Sequence, residues 1–487
     1  MNAIHLDGSA LTSAQVTALA KGTARATVDP AARERLLKAR DIAEQAVALG
    51  PVYGHNTGVG ANRTTAVPTD SADLHGLRLL RSHSGGIGPL VPAEQVRAMI
   101  AVRLNQLLAA GTAISVGVID RLEQALVSGH IPAVHAHGSV GTADLSALAE
   151  LGLALAGDLP WQGGTGPAPA PLRLTHWDAL PLMSSSALTI GQAALAAEEL
   201  RELLDRIPMV AALSLAAVHG STEPYAAEVH ARRPHAGALR TASRMCTLVG
   251  ELPWEPALIQ DPYGFRCLPQ IHGAALDALA ALDRVLDVEL NAAYENPLLN
   301  PDSAQYHHHG GFHQASLALA LDQLRLGLLG TAGLSTARLG VLVEPSFTGL
   351  PPFLAKEMDG SSGIMIIEYA AQSALADLRS AAQPSTLGHA VLSRGVEEHA
   401  SFASTAVRRL QEATEAFRYV LACELLAAVR ALRMRGLPAF GAPELAELRH
   451  NAEAVLDPST DDRKLTSDVH AAATLLGAGH HLASEVV

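Results

Sequence analysis

The chain has 487 residues, 48% of them apolar and 17% charged, which fits a compact folded protein and argues against disorder. A net charge of −13, with no Lys/Arg-rich run and only four lysines (Lys21, Lys38, Lys356, Lys464), excludes a nucleic-acid-binding footprint. Cys246, Cys267 and Cys423 are too far apart to suggest a disulfide framework or a thiolate metal site.

No uninterrupted apolar run reaches the roughly 18 residues of a spanning helix. The start, Met1-Asn2-Ala3-Ile4-His5, lacks a basic segment followed by an apolar one. The expected setting is cytoplasmic.

In chain order, Ser13 opens a short helix, and Ala31 to Leu49 reads as an amphipathic helix begun after Pro30 and ended by Gly50. An irregular run follows, Tyr53-Gly54-His55-Asn56-Thr57-Gly58-Val59-Gly60. Helices are expected over Ala93 to Ala110 and Val116 to Val127. Next comes a turn of small residues, Gly138-Ser139-Val140-Gly141-Thr142-Ala143-Asp144-Leu145, with Asp144 placed to cap a helix over Leu145 to Leu155. Glycine lets such a turn be buried closely, and its N–H groups at a helix start favour negative charge.

A Pro/Gly-rich connection, Leu159 to Pro171, separates the first third from the rest. Long Ala/Leu segments then recur: Leu188 to Asp205, Gly273 to Tyr294, Gln314 to Leu334, Ile364 to Ala381 and Ser401 to Met434. Several exceed the average helix of about 11–12 residues. Some are apolar on more than one face, as at the centre of a bundle or an oligomer interface. No alternating strand pattern or internal repeat is found, and only small hairpins are expected. The expected division is a loop-rich N-terminal domain with the active-site stretches, 1–187, and a bundle of long and C-terminal helices forming the oligomer core, 188–487.

Four loop-like stretches carry more polar and aromatic chemistry than connectors need. They are Tyr53 to Gly60, Ser82-His83-Ser84-Gly85-Gly86, Gln260-Asp261-Pro262-Tyr263-Gly264-Phe265-Arg266-Cys267, and Glu397-Glu398-His399, expected to open the last long helix. Singly, each has a structural explanation: a half-buried tyrosine, a histidine capping a helix, an arginine paired to an acid, a glutamate at a helix start. Jointly, a tyrosine, an arginine, a glutamate and a Gly-rich turn are a kit for proton abstraction beside a carboxylate. His307-His308-His309 reads as a solvated loop, since no carboxylate or cysteine sits at ligand spacing, and no metal is expected. P-loop, dinucleotide, HExxH and GxSxG motifs are absent.

These stretches, in this order, resemble the aromatic amino acid lyase family (histidine/phenylalanine ammonia-lyases). Tyr53 to Gly60 is similar to Y-G-x-N-T-G-F-G, Gln260 to Cys267 to Q-D-x-Y-S-x-R-C, and Asn296-Pro297, placed in a long helix, to D-N-P. Leu350-Pro351-Pro352-Phe353-Leu354 with Ser362-Gly363 is similar to L-P-x-F-L…S-G, and Glu397-Glu398-His399 to Q-E-D-H. The resemblance implies a mainly α fold, an ammonia-lyase/fumarase-like long central bundle with a mixed N-terminal domain. It also implies a homotetramer whose active sites draw on several subunits.

In that family the turn reads G-S-V-G-A-S-G-D-L. Its Ala-Ser-Gly triad cyclises to methylidene-imidazolone (MIO), an electrophile that captures the substrate amine while a tyrosine removes a β-proton. Here Gly141-Thr142-Ala143-Asp144 is one residue shorter, with no central serine, so Thr142, Ala143 and Asp144 mark a degenerate MIO position and no MIO is expected. Ser184 stands where the family places an asparagine, and His309-Gly310-Gly311-Phe312-His313 lacks another.

Losing a covalent activator removes much of a barrier reduction that is typically about 8–23 kcal/mol. The leading expectation is therefore an MIO-independent enzyme of this fold. It would run elimination, conjugate addition or cyclisation, or isomerisation on a carboxylate or carrier-bound acyl substrate. Tyr53 would be the acid/base, provided that its pKa is lowered from about 10, with His83, Tyr263 and Glu397 as further catalytic groups. Arg266, Gln260, Phe312, Asn56 and Ser184 would bind substrate, Arg266 by clamping a carboxylate. A second expectation keeps an ammonia-lyase or aminomutase acting on an aromatic, histidine-like amino acid through an atypical electrophile from Thr142. A third is an inactive paralogue with a binding or assembly role.

Overall fold

The computed structural model describes residues 2–48, 50–68, 70, 72–357 and 360–477. The chain forms two compact units, each discontinuous in sequence: one comprises 1–198, 282–321 and 384–408, the other 199–281, 322–383 and 409–487. The expected division at 187/188 is contiguous instead. Its second half supplies 282–321 and 384–408 to the first unit, because four long helices cross the boundary. They are Ala187–Ala217, Leu268–Glu289, Ala315–Leu342 and Ala403–Arg435.

The first unit is built around Ala93–Leu108 and Leu145–Ala156, helices apolar on most sides and buried along most of their length. Further helices pack on this core. Ser13–Ala20 begins at a capping box between Thr12 and Gln15, and Pro30–Val47 begins where the Asp29 carboxylate accepts from Ala31 and Ala32 N–H. The expected end of the latter helix at Leu49 lies outside the described residues. Val116–Ser128 and Leu145–Ala156 stop at Gly129 and Gly157, both left-handed.

Among the described residues, the strands form four two-stranded sheets. Asn2–Leu6 pairs in parallel with Ala24–Val28. Ile87–Leu90 with His135–His137, His130–Pro132 with Trp161–Gly163, and Leu298–Asn300 with Gln305–His307 are antiparallel. Asn296-Pro297 sits in the connection after Glu289, joined by a cis bond, rather than in a long helix. Proline has no N–H to continue the helical ladder.

The second unit buries a polar core among its helices. Arg338 donates through Nε and Nη2 to the two oxygens of Glu424 at 2.6 and 2.8 Å, and the hydroxyls of Ser214 and Ser335 complete that carboxylate's shell. Both charged residues are fully buried. Among the described residues, two helical stretches are long and apolar enough to cross a membrane, Ala179–Ala217 and Ala315–Leu342, but 94% and 61% of their apolar windows are buried within the protein.

Candidate active site

Within the first unit four stretches converge: the Tyr53 loop, the 138–144 turn, residues 308–314 and residues 393–404. The Tyr53 loop is tied off at its neck by Asn56. The Asn56 Oδ1 accepts from Val52 N–H at 2.7 Å, and its Nδ2 donates to the Gly50 carbonyl at 3.1 Å. Gly54 has φ +73°, and a Cβ there would lie 2.1 Å from a Leu180 methyl, so the loop needs glycine at this point.

Tyr53 is held at both ends. Its N–H donates to His308 Nε2 at 3.3 Å, and its hydroxyl oxygen accepts from Gly60 N–H at 2.7 Å. Burial raises the tyrosine's pKa above the ordinary 10. The Gly60 N–H pulls it down, and the negative charge of Glu397 pushes it further up. The expectation of a lowered pKa is thus reversed, although the loop does supply an N–H donor. Tyr53 is a protonated phenol at rest at neutral pH.

Glu397 lies on a small hairpin, bridged to Leu392, six residues before the helix that it was expected to open at Ala403. His83 closes the helix Ala72–His83, its Nδ1 on the Leu79 carbonyl at 2.8 Å. His55 is buried against Trp177, with ring centroids 4.4 Å apart, and burial pushes its pKa down to about 3. It forms the loop's back wall as a neutral ring.

The 138–144 turn is seated on the start of the last long helix. Ser401 Oγ donates to the Gly141 carbonyl at 2.8 Å, Phe402 N–H to the Val140 carbonyl at 2.8 Å, and Ser404 Oγ to the Ser139 carbonyl at 2.9 Å. Gly141 has φ +88°, and a Cβ there would lie 2.1 Å from Ser401 Oγ. Ala143 has φ +121°, a glycine-like conformation carrying a side chain. Thr142 at the tip is half-buried.

Asp144 does not cap the helix that follows it. Its buried carboxylate accepts from Thr189 N–H at 2.8 Å and Thr189 Oγ1 at 2.9 Å, so it caps the start of Ala187–Ala217 instead. Its N–H donates to the Ser185 carbonyl at 2.8 Å. Ser184 ends the short helix Ala179–Met183, and it is Ser185 that bonds to the turn.

The histidine run is exposed at His307 and His308, as expected of a solvated stretch, and is also tied to its neighbours. His308 meets Tyr53, and His309 Nε2 is 2.7 Å from the Glu295 carbonyl oxygen. Phe312 is half-buried in the adjoining turn. Gln314 N–H approaches the Gly141 carbonyl at 3.4 Å, and His313 Nε2 pairs with His399 Nδ1 at 3.0 Å. Ser401, Ser404 and the His313–His399 pair were missed as site residues. Their partners lie 86 or more residues away in sequence, and no local pattern announces them.

Gln260, Tyr263 and Arg266 belong to the second unit. Tyr263 is exposed, with the Arg266 guanidinium 4.1 Å from its ring centroid, while Arg266 Nε is buried without a partner. Gln260 is exposed beside them. Thus Tyr53, His83, Asn56, Ser184, Phe312, Glu397 and the 142–144 turn share one unit, and the other three residues share the second.

The 141–144 turn lacks the Ala-Ser-Gly triad from which methylidene-imidazolone forms in the family that the sequence resembles. A ring centred on Thr142 would expel the Gly141 carbonyl oxygen, which Ser401 and Gln314 hold. Dehydration of threonine would also leave an ethylidene, not a methylidene.

The chain belongs to the aromatic amino acid lyase family, whose model matches residues 11–454. It is 34% identical to histidine ammonia-lyase of Anaeromyxobacter sp. (strain K), over 98% of this chain and 99% of that one. Its structure is similar to ergothionase of Treponema denticola, described as ergothioneine-degrading, with TM-score 0.91, 27% identity and 98% of both chains covered. It is also similar to histidine ammonia-lyase of Trypanosoma cruzi, with TM-score 0.89, 26% identity, and 98% of this chain and 93% of that one covered.

These likenesses overturn the leading expectation of an MIO-independent reaction on a carboxylate or acyl substrate. Relatives 34% identical over nearly the whole chain are histidine ammonia-lyases, which is the second expectation. The first expectation rested on a four-residue turn and two lost asparagines, whereas the match runs through the framework that carries the tyrosine loop.

Proposed function

We propose that the chain is a C–N lyase that releases the amino group of a histidine-like amino acid and leaves an α,β-unsaturated acid. The observation that carries this reading is Tyr53, its oxygen fixed 2.7 Å from Gly60 N in a loop anchored by Asn56. Ionised Tyr53 takes a proton from the substrate's β-carbon. The C–H electron pair becomes the new double bond. The C–N pair leaves with the nitrogen of the substrate's protonated amino group, released as ammonia, which then takes up a proton from solvent to become ammonium.

The Gly60 N–H stabilises the tyrosinate, and Glu397 tunes it by opposing its charge. Gln260, Tyr263 and Arg266 are assigned to the substrate carboxylate in the multi-subunit site that the family resemblance implies. Phe312 is assigned to the substrate's ring. A cytoplasmic assembly of four copies accompanies this reading. Exposed Leu319, Leu326, Ile366 and Tyr369 supply apolar surface for it.

A second reading changes only the substrate's amine. The likeness to ergothionase over 98% of both chains, together with the altered 141–144 turn, favours ergothioneine, a histidine betaine whose nitrogen already carries three methyl groups. Incubation with histidine, phenylalanine, tyrosine and ergothioneine tests both. Ammonia from histidine supports the first reading, trimethylamine from ergothioneine alone supports the second, and no amine from any of them refutes both. Intact mass shows in the same sample whether two waters have been lost at the turn.

A further inference from the structure

Glu397 acts on Tyr53 only from where its hairpin puts it. The hairpin closes over the tyrosine's own partner, since a Cβ on Gly60 would lie 2.9 Å from Ser393 Oγ. Leu392 N–H donates to the Glu397 carbonyl at 2.9 Å, and Ser393 and Arg394 turn the chain with φ of +50° and +58°. Neither residue is glycine, so the turn is strained and its surroundings must hold it. Within the chain Val391, Leu392 and Val396 are exposed, so apolar packing does little to fix the hairpin.

A histidine pair anchors the other side. His399, two residues past Glu397, places its Nδ1 3.0 Å from His313 Nε2, with ring centroids 5.1 Å apart and planes at 41°. That is an edge-to-edge hydrogen bond, in which one neutral imidazole donates its N–H to the lone pair of the other. His313 is fixed in turn. Its N–H donates to the Gly310 carbonyl at 3.0 Å, and the next residue, Gln314, approaches the Gly141 carbonyl at 3.4 Å. Burial and the charge of His399 hold the His313 pKa below the ordinary 6.5, so its ring is neutral at pH 7. The proton transfer from substrate uses neither ring.

We propose that His313 and His399 are positioning residues that hold the Glu397 carboxylate beside Tyr53. This deepens the C–N lyase reading and rests on its assignment of Tyr53 as the base. Breaking the pair frees the segment between Leu392 and Ser401, and the half-buried Glu397 swings toward solvent, where its charge is screened. The other groups that face Tyr53 lie off that segment: His308, which accepts from its N–H, the Gly60 N–H on its oxygen, and the Arg63 charge. The pH at which Tyr53 ionises therefore reports the placement of Glu397.

The test follows kcat/KM against pH for the full chain with histidine as substrate, with melting temperature as the folding control. His399→Ala and His313→Ala should each move the basic limb to lower pH, at least half as far as Glu397→Gln does. The double variant Glu397→Gln/His399→Ala should move it no further than Glu397→Gln alone. His313→Gln and His399→Asn, whose amides reach about where Nε2 and Nδ1 lie, should restore the wild-type limb. An unmoved limb in folded His399→Ala overturns the proposal, as does a double variant whose shift is the sum of the two single shifts. His399 is exposed, so its variants decide if His313→Ala fails to fold. The same proteins are titrated without substrate, reading Tyr53 as the difference in tyrosinate absorbance between each and its Tyr53→Phe counterpart. If histidine is not deaminated but His399→Ala lowers the pH of Tyr53 ionisation, the lyase reading fails and the positioning stands. If histidine is deaminated and Tyr53 ionises at the same pH in both, the positioning fails and the lyase reading stands.

Discussion

Tyr53 carries the chemical account, and its surroundings fix the sign of its pH behaviour. Burial and Glu397 raise its pKa above the ordinary 10, so the ionised base becomes more abundant as pH rises. The rate constant kcat/KM should therefore climb with pH until a limb above about 10. Glu397→Gln removes an opposing negative charge and should move that limb to lower pH, and a limb that stays put would show that Glu397 does not act through Tyr53. Tyr53→Phe should lower kcat by about 10²–10⁴-fold with an unchanged melting temperature. Ala143 supplies a second test at this scale. At φ +121° its Cβ is strained, so Ala143→Gly should raise stability by about 1 kcal/mol in denaturant unfolding.

At the scale of elements, the 138–144 turn is positioned by the residues that open the last long helix. Ser401→Ala removes one of the two donors to the Gly141 carbonyl and should cost about 1 kcal/mol in denaturant unfolding. Gly141→Ala should be far more damaging, because its Cβ meets Ser401 Oγ and φ is +88°.

Much of this level is legible in the sequence. Helical periodicity and glycine or proline punctuation locate the helices within a few residues at most ends, as at Val116–Ser128, Leu145–Ala156 and Met365–Ala381. Their true extents are less legible. Ala187–Ala217 runs past Asp205 and through Pro208, since tertiary burial on all sides outweighs the local breaker. Asp144 has the residue type of a cap, but which helix it caps depends on Thr189, 45 residues away.

For the whole molecule, family membership is legible because several motifs stand in register, and the fold follows from it. The discontinuous units are not legible, because they exist only once distant segments meet. The same holds for the buried Arg338–Glu424 pair, 86 residues apart. Glu424→Ala leaves the fully buried guanidinium uncompensated, and should destabilise by about 3–5 kcal/mol in denaturant unfolding.

The most direct test of the C–N lyase reading uses L-histidine carrying two deuteriums on its β-carbon, with ammonia and the unsaturated acid quantified together. The account predicts equal amounts of the two products, each acid molecule retaining one deuterium, at a rate slower than with unlabelled histidine. No ammonia, or an acid that keeps both deuteriums, would contradict it.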